Sequence, residues 1–221
     1  MVFVQLLKGL NVKFKLVKGV GNYSQGTACV MSAAVAYKRC LAGMDIGKAT
    51  DELDCVCPVI RSFLININDS AIWSNDLHRT NVLFPLIPRI VDTNNPELLL
   101  KRMFFLVNWA VKTIAPLILR ERGFENHAVT FESLGDIVDH ESVNAANVAV
   151  AGIYGAVAFA AYNAIGAAAV ACTGTWVGDA TRSATCSATI IKRAYTVASE
   201  DLKEKIVVEL ITILDQLLDV K

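Results

Sequence analysis

A mainly α fold, one compact helical domain with a short N-terminal β element, is predicted by three observations. The 221 residues are 54% hydrophobic and 19% charged, with much of the apolar excess in alanine, a composition that favours closely packed helices. Apolar residues recur at helical spacing behind recognisable caps. From Ser142 to Gly178 no charged residue occurs. The expected organisation is a β element over residues 1–20, a helical half over 26–140 and alanine-rich helices over 142–221, all within one domain.

The elements follow in order. Val12, Phe14 and Leu16 alternate with Lys13 and Lys15 between Gly9 and Gly19, the period of a half-buried strand or hairpin. Thr27 to Leu41 carries small residues on every side and reads as a buried helix ending at Gly43. Pro58 suits the first turn of a helix, where no N–H is needed, and Val59, Ile60, Phe63, Leu64 and Ile67 then form one apolar face. A helix from Asp76 to Leu86 is closed by Pro85 and Pro88. Asn95-Pro96-Glu97 starts a long helix to Arg122 that Pro116 should kink, and Thr130 is expected to cap a shorter one from Phe131 to Val138.

The uncharged run is long enough to cross a bilayer, which takes about 20 residues. A buried helix is the preferred reading, because alanine and glycine gain little from lipid and the acidic flanks Asp136, Asp139 and Glu141 give no basic anchor. Gly152, Ala156, Ala160, Ala164 and Ala168 instead allow close backbone approach. Asp179 to Ala198 is expected to be helical, and Ser199 to cap a last helix with Leu202, Ile206, Leu210, Ile213, Leu217 and Val220 as its stripe.

Composition narrows the function classes. A formal net charge of zero gives no field to draw the chain onto nucleic acid or an anionic membrane, although Lys8, Lys13, Lys15, Lys18, Lys38, Arg39 and Lys48 face only Asp45 in the first fifty residues. The start lacks a basic segment and a small-residue cleavage site, so cytoplasmic localisation is expected, with six cysteines as free thiols. No nucleotide-binding or zinc-hydrolase motif occurs, and no cofactor is expected.

The chemistry-bearing run is Cys55-Val56-Cys57-Pro58. An extended segment would turn both thiols the same way and set Cys57 at the helix N-cap, where the dipole favours thiolate. Cys57, Asp51, Asp69 and His127 are therefore the catalytic candidates. Cys29, Cys55 and Cys57 are the metal-ligand candidates, although the spacing matches no standard zinc pattern and small cysteines commonly fill cores. Asn68-Asp69 and Asn75-Asp76 could hold a hard cation, but turn and cap roles suit them better. Capping likewise outranks acid–base chemistry for Asp136, Asp139, His140 and Glu141.

The succession Gly26-Thr27-Ala28-Cys29-Val30-Met31-Ser32-Ala33-Ala34, Thr50-Asp51, Cys55-Val56-Cys57-Pro58-Val59-Ile60, Asn68-Asp69, Arg79, Pro85, Pro88 and Thr93 resembles an uncharacterised family of bacterial and bacteriophage proteins. The resemblance covers residues 20–140 and departs from the family's pattern between Gly43 and Thr50, where an aromatic-containing stretch is replaced. It implies the helical architecture and an alanine-rich end, and names no reaction. Three functions are then carried: a non-enzymatic binding protein, such as a phage accessory or host-targeting factor; an enzyme or thiol site centred on Cys57 with Cys29, Asp51 and Asp69; and a helical membrane protein. The first implies a protein partner or self-association, with a small-molecule ligand left open and neither nucleic acid nor membrane expected.

Overall fold

The structure, a computed structural model, describes residues 14–150 and 177–220. It is mainly α with one short parallel two-stranded sheet. Val12, the small-residue ladder from Gly152 to Ala168, and Cys172 lie outside the described residues. Contacts divide the chain into two units, Met1–Cys57 with Leu64–Asn94, and Pro58–Phe63 with Asn95–Lys221.

In the first unit, β1 (Lys15–Leu16) pairs with β2 (Thr27–Ala28) in parallel, Lys15 opposite Thr27. The expected strand is there, but its partner comes from the segment expected to be helical. Phe14 and Leu16 are buried around the half-exposed Lys15, as their alternation requires. The connection turns at Gly21, whose φ is +83°, and a Cβ there would lie 2.5 Å from Ala28 Cα. Only glycine fits that approach.

Helix α1 (Val30–Leu41) therefore starts three residues later than Thr27, behind Cys29. Its buried face is made mostly of small residues, Ser32, Ala33, Ala34 and Ala36, alongside Met31 and Val35. Helix α2 (Pro58–Asn68), of which Pro58–Phe63 count with the second unit and the rest with the first, has proline in its first turn and buries Val59, Ile60, Phe63, Leu64 and Ile67, the face its sequence predicts. Helix α3 (Asp76–Leu83) is capped by Asn75, whose side chain accepts from His78 N–H. Pro85 does not end the helical path: a 3-10 turn over Phe84–Leu86 and α4 (Ile87–Ile90) carry it past Pro88, because each proline falls in a first turn, where its missing N–H costs nothing.

In the second unit, Asn95 caps a 3-10 turn over Pro96–Leu98 that leads into α5 (Leu99–Trp109), a π turn over Ala110–Ile114, and α6 (Ala115–Glu121). The irregularity attributed to Pro116 thus sits just before it, where one wider turn absorbs the lost hydrogen bond. By length and composition the 26-residue run Pro96–Glu121 could cross a membrane, and 67% of its most apolar window is buried inside the protein.

Helix α7 is Glu125–Glu132, and residues 133–138 are not helical. This corrects the expected Phe131–Val138 helix: Thr130 is inside α7, its hydroxyl donating to Asn126 C=O at 3.0 Å rather than capping a new start. Asn108 replaces regular structure in the following segment, donating to Ile137 C=O at 2.7 Å and accepting from Ile137 N–H at 2.9 Å. Helix α8 (His140–Val150) begins behind Asp139.

Helix α9 (Val177–Val197) buries Ala180, Ser183, Ala184, Ser187 and Ala188 on one face. Ser62 joins it, its Oγ lying 2.7 Å from Thr185 Oγ1 and donating to Thr181 C=O at 3.0 Å. Ser199 caps α10 (Glu200–Asp219), which buries Leu202, Ile206, Leu210, Ile213, Leu214 and Leu217. The corner between α9 and α10 is held from α6 and the residue after it: Glu121 accepts from Ser199 N–H at 2.6 Å and Arg122 donates to Val197 C=O at 3.0 Å.

Gly21→Ala should destabilise the protein by about 2 kcal/mol or more, combining left-handed backbone strain with the Ala28 clash. Urea unfolding followed by circular dichroism reads this as a lower midpoint at unchanged slope; an unchanged midpoint would refute the close approach.

Candidate functional site

The motif residues of the first unit fall into two groups of contacts. The first surrounds the C-terminal end of α2. Asn68 is fully buried, its Oδ1 accepting from Val30 N–H at 3.2 Å and its Nδ2 donating to Val17 C=O at 2.8 Å. Asp69 accepts from Gly19 N–H at 2.9 Å and from Asn68 Nδ2 at 2.8 Å. Arg79, 2% exposed, donates from Nε to Asn68 C=O at 2.8 Å and from Nη1 to Leu16 C=O at 3.3 Å, and pairs with Asp76 at 2.5 Å. Thr80 accepts Leu16 N–H at 2.9 Å and donates to Asp76 C=O at 2.6 Å. Between them these side chains satisfy the outer edge of β1 and the end of α2.

Asp76 is also 2.9 Å from Lys15. The Lys15 hydrogen bond is the largest influence on its carboxyl; burial opposes it, and with the lesser contribution of Arg79 the carboxyl is held below the usual carboxylate range. Asp69 and Asp76 thus bind backbone and cations of the chain itself.

The second group surrounds the Cys-x-Cys-Pro run. Residues 54–56 form a turn, with Val56 N–H bonded to Leu53 C=O at 3.2 Å, so the run is not extended. The two thiols consequently differ: Cys57 is 1% exposed, while Cys55 is half-buried. Cys57 does occupy the N-cap of α2, but its side chain makes no capping hydrogen bond. Its own N–H donates to Thr93 Oγ1 at 3.0 Å, and the Thr93 hydroxyl in turn donates to Ile90 C=O at 2.7 Å. Asn94 completes the attachment, its N–H reaching Cys55 C=O at 2.9 Å and its amide reaching Asp54 C=O at 2.7 Å.

Asp92, the residue beside this attachment, has φ +62°, the one positive value among described non-glycine residues. Lys38 Nζ is 2.7 Å from both of its carboxylate oxygens. The Lys38 hydrogen bond, with a smaller one from the Cys55 thiol, keeps the Asp92 carboxyl below its ordinary range.

The cysteine that does cap a helix is Cys29. Its Sγ accepts from Ser32 N–H at 3.2 Å and lies 3.3 Å from Ser32 Oγ. Burial raises its pKa, outweighing the Ser32 hydrogen bonds, and the charge of Asp51 adds to the rise, so the protonated thiol is favoured. Nearby Tyr23 donates to Ser32 C=O at 2.5 Å, and burial, then the charge of Cys29, push its pKa up to about 12.

The candidate set is therefore brought together only in part. Asp51 and Cys29 are electrostatic neighbours. Cys57 and Asp69 sit at opposite ends of α2, about 18 Å apart along its axis. His127 belongs to the second unit and stacks on Phe124 with ring centroids 5.8 Å apart. Among the described residues no three His, Cys, Asp or Glu side chains gather as a metal site, so Cys29, Cys55 and Cys57 are not grouped as ligands, and Cys29, Cys40, Cys55, Cys57 and Cys186 are free thiols. Sequence reasoning gave no role to Thr80, Thr93 or Tyr23; each acts on backbone from a distant segment, which leaves no local signal.

The second unit carries a groove of about 490 Å³ between α7 and α8, lined by Leu134, Ala145, Ala146 and Ala149 with hydroxyls of Thr130 and Ser133. Asp139 at its edge accepts from Ser142 N–H at 2.8 Å, which also holds its carboxyl below the usual range. Asp136 pairs with Lys112 at 2.7 Å. The capping reading of Asp139 is the one its hydrogen bonds describe.

Three outcomes follow for the first unit. Iodoacetamide should modify Cys55 at least about tenfold faster than Cys57, since a buried thiol reacts only through opening that costs ~1.4 kcal/mol or more; peptide mass spectrometry distinguishes this from equal labelling. Thr93→Val should cost about 1–3 kcal/mol by leaving Cys57 N–H unsatisfied, and should speed Cys57 labelling selectively. The depressed Asp76 pKa contributes stability that is present above the unfolded carboxyl pKa of about 4 and is lost as pH falls through the lower folded value. Asp76→Asn should flatten that acid limb of a pH–stability profile, and an unchanged limb would count against the Lys15 and Arg79 pairing. Compared with known proteins, the chain matches no family model, no curated protein and no solved structure.

Proposed function

We propose that this chain is a non-enzymatic interaction protein whose motif residues serve its scaffold and whose partner is a protein. The observation that carries this reading is the contrast between its polar and apolar side chains in the first unit. Asn68, Asp69, Asp76, Arg79 and Thr93 are engaged with the chain's own backbone and charges. Leu41 and Met44, by contrast, are 60% and 57% exposed.

Both stand where α1 runs into residues 42–57, a connection without regular secondary structure. Loops longer than about 12–15 residues are uncommon in compact domains and are often functional. This one is pinned at its start, with Met44 N–H bonded to Arg39 C=O at 2.9 Å and Arg39 Nη1 donating to Ile46 C=O at 2.7 Å. A fixed apolar pair offers contact area without the ordering cost of a mobile loop. The resemblance of residues 20–140 to bacterial and bacteriophage proteins directs the search for a partner to bacterial host proteins, in keeping with an accessory or host-targeting role.

Two reagents test it: the whole chain and its Leu41→Asp/Met44→Asp variant, each crosslinked in bacterial lysate. A specific partner should be recovered at least about tenfold less with the variant, the equivalent of ~1.4 kcal/mol of lost contact. Thermal unfolding of the two should coincide, because neither side chain belongs to the core. Equal recovery would dismiss the Leu41–Met44 surface, and turnover abolished by Cys57→Ser in an otherwise folded protein would overturn the non-enzymatic reading.

A further inference from the structure

No further inference is drawn: the strongest candidate, the groove between α7 and α8 floored by Ala145, Ala146 and Ala149, is an unpartnered apolar face for which nothing in the structure shows what covers it, its edge carboxylate Asp139 being already engaged as the cap of α8.

Discussion

The first unit depends on a buried guanidinium. A cation as enclosed as that of Arg79 costs several kcal/mol to remove from water unless its N–H groups and charge are matched. Three groups match it: the carbonyl that ends α2, the carbonyl of Leu16 in β1, and the Asp76 carboxylate one helical turn away. Each comes from a different part of the chain, so the requirement fixes the strand, the helix end and α3 relative to one another. Asn68 extends the same junction to the first residue of α1. The polar contacts thus lie beside a buried apolar core that includes Leu16, Ile67 and Leu83.

A comparable constraint works at the other end of α2. Proline in the first turn removes one N–H that would need a partner, and Thr93 takes the N–H of Cys57 that still does. The Cys-x-Cys-Pro run is consequently a point of attachment for residues 92–94. Its two cysteines fill different environments because a turn, not a strand, separates them. An extended segment would have turned both thiols the same way; the turn instead buries Cys57 and leaves Cys55 half-buried.

What could be read in the sequence was what local chemistry encodes. Pro58, Asn75, Asn95 and Ser199 mark helix starts through their own side chains or ring, and their helices lie close to the expected positions. The apolar stripe of α10 was equally legible because its period is internal to the helix. By contrast, α7 begins behind Phe124, which makes no capping side-chain hydrogen bond, so no residue announced it. Thr27–Ala28 looked helical because a two-residue strand is defined by its partner, here twelve positions earlier, rather than by its composition. Cys29 was missed as a cap because sulfur is an uncommon acceptor in that role. At the candidate site, Asn68, Asp69 and Arg79 could be named but not placed against the strand and α1, since the bonds that tie them to Val17, Gly19, Val30 and Leu16 cross many positions of sequence.

The small-residue face of α9 has an entropic consequence. Ala180, Ala184 and Ala188 have no rotamers to lose on burial, so docking this helix costs little side-chain freedom, while each alanine also withdraws little apolar area from water. Both sides of the balance are small on this face, whose adhesion rests on dispersion among small side chains, while Ile190 and Ile191 further along the helix supply the larger buried area. Such a contact is insensitive to side-chain fluctuation and intolerant of added volume. One extra methylene on that face would have to be accommodated inside packed structure, at a cost of about 1–3 kcal/mol, whereas the same change at Val208, in solvent, would displace only water.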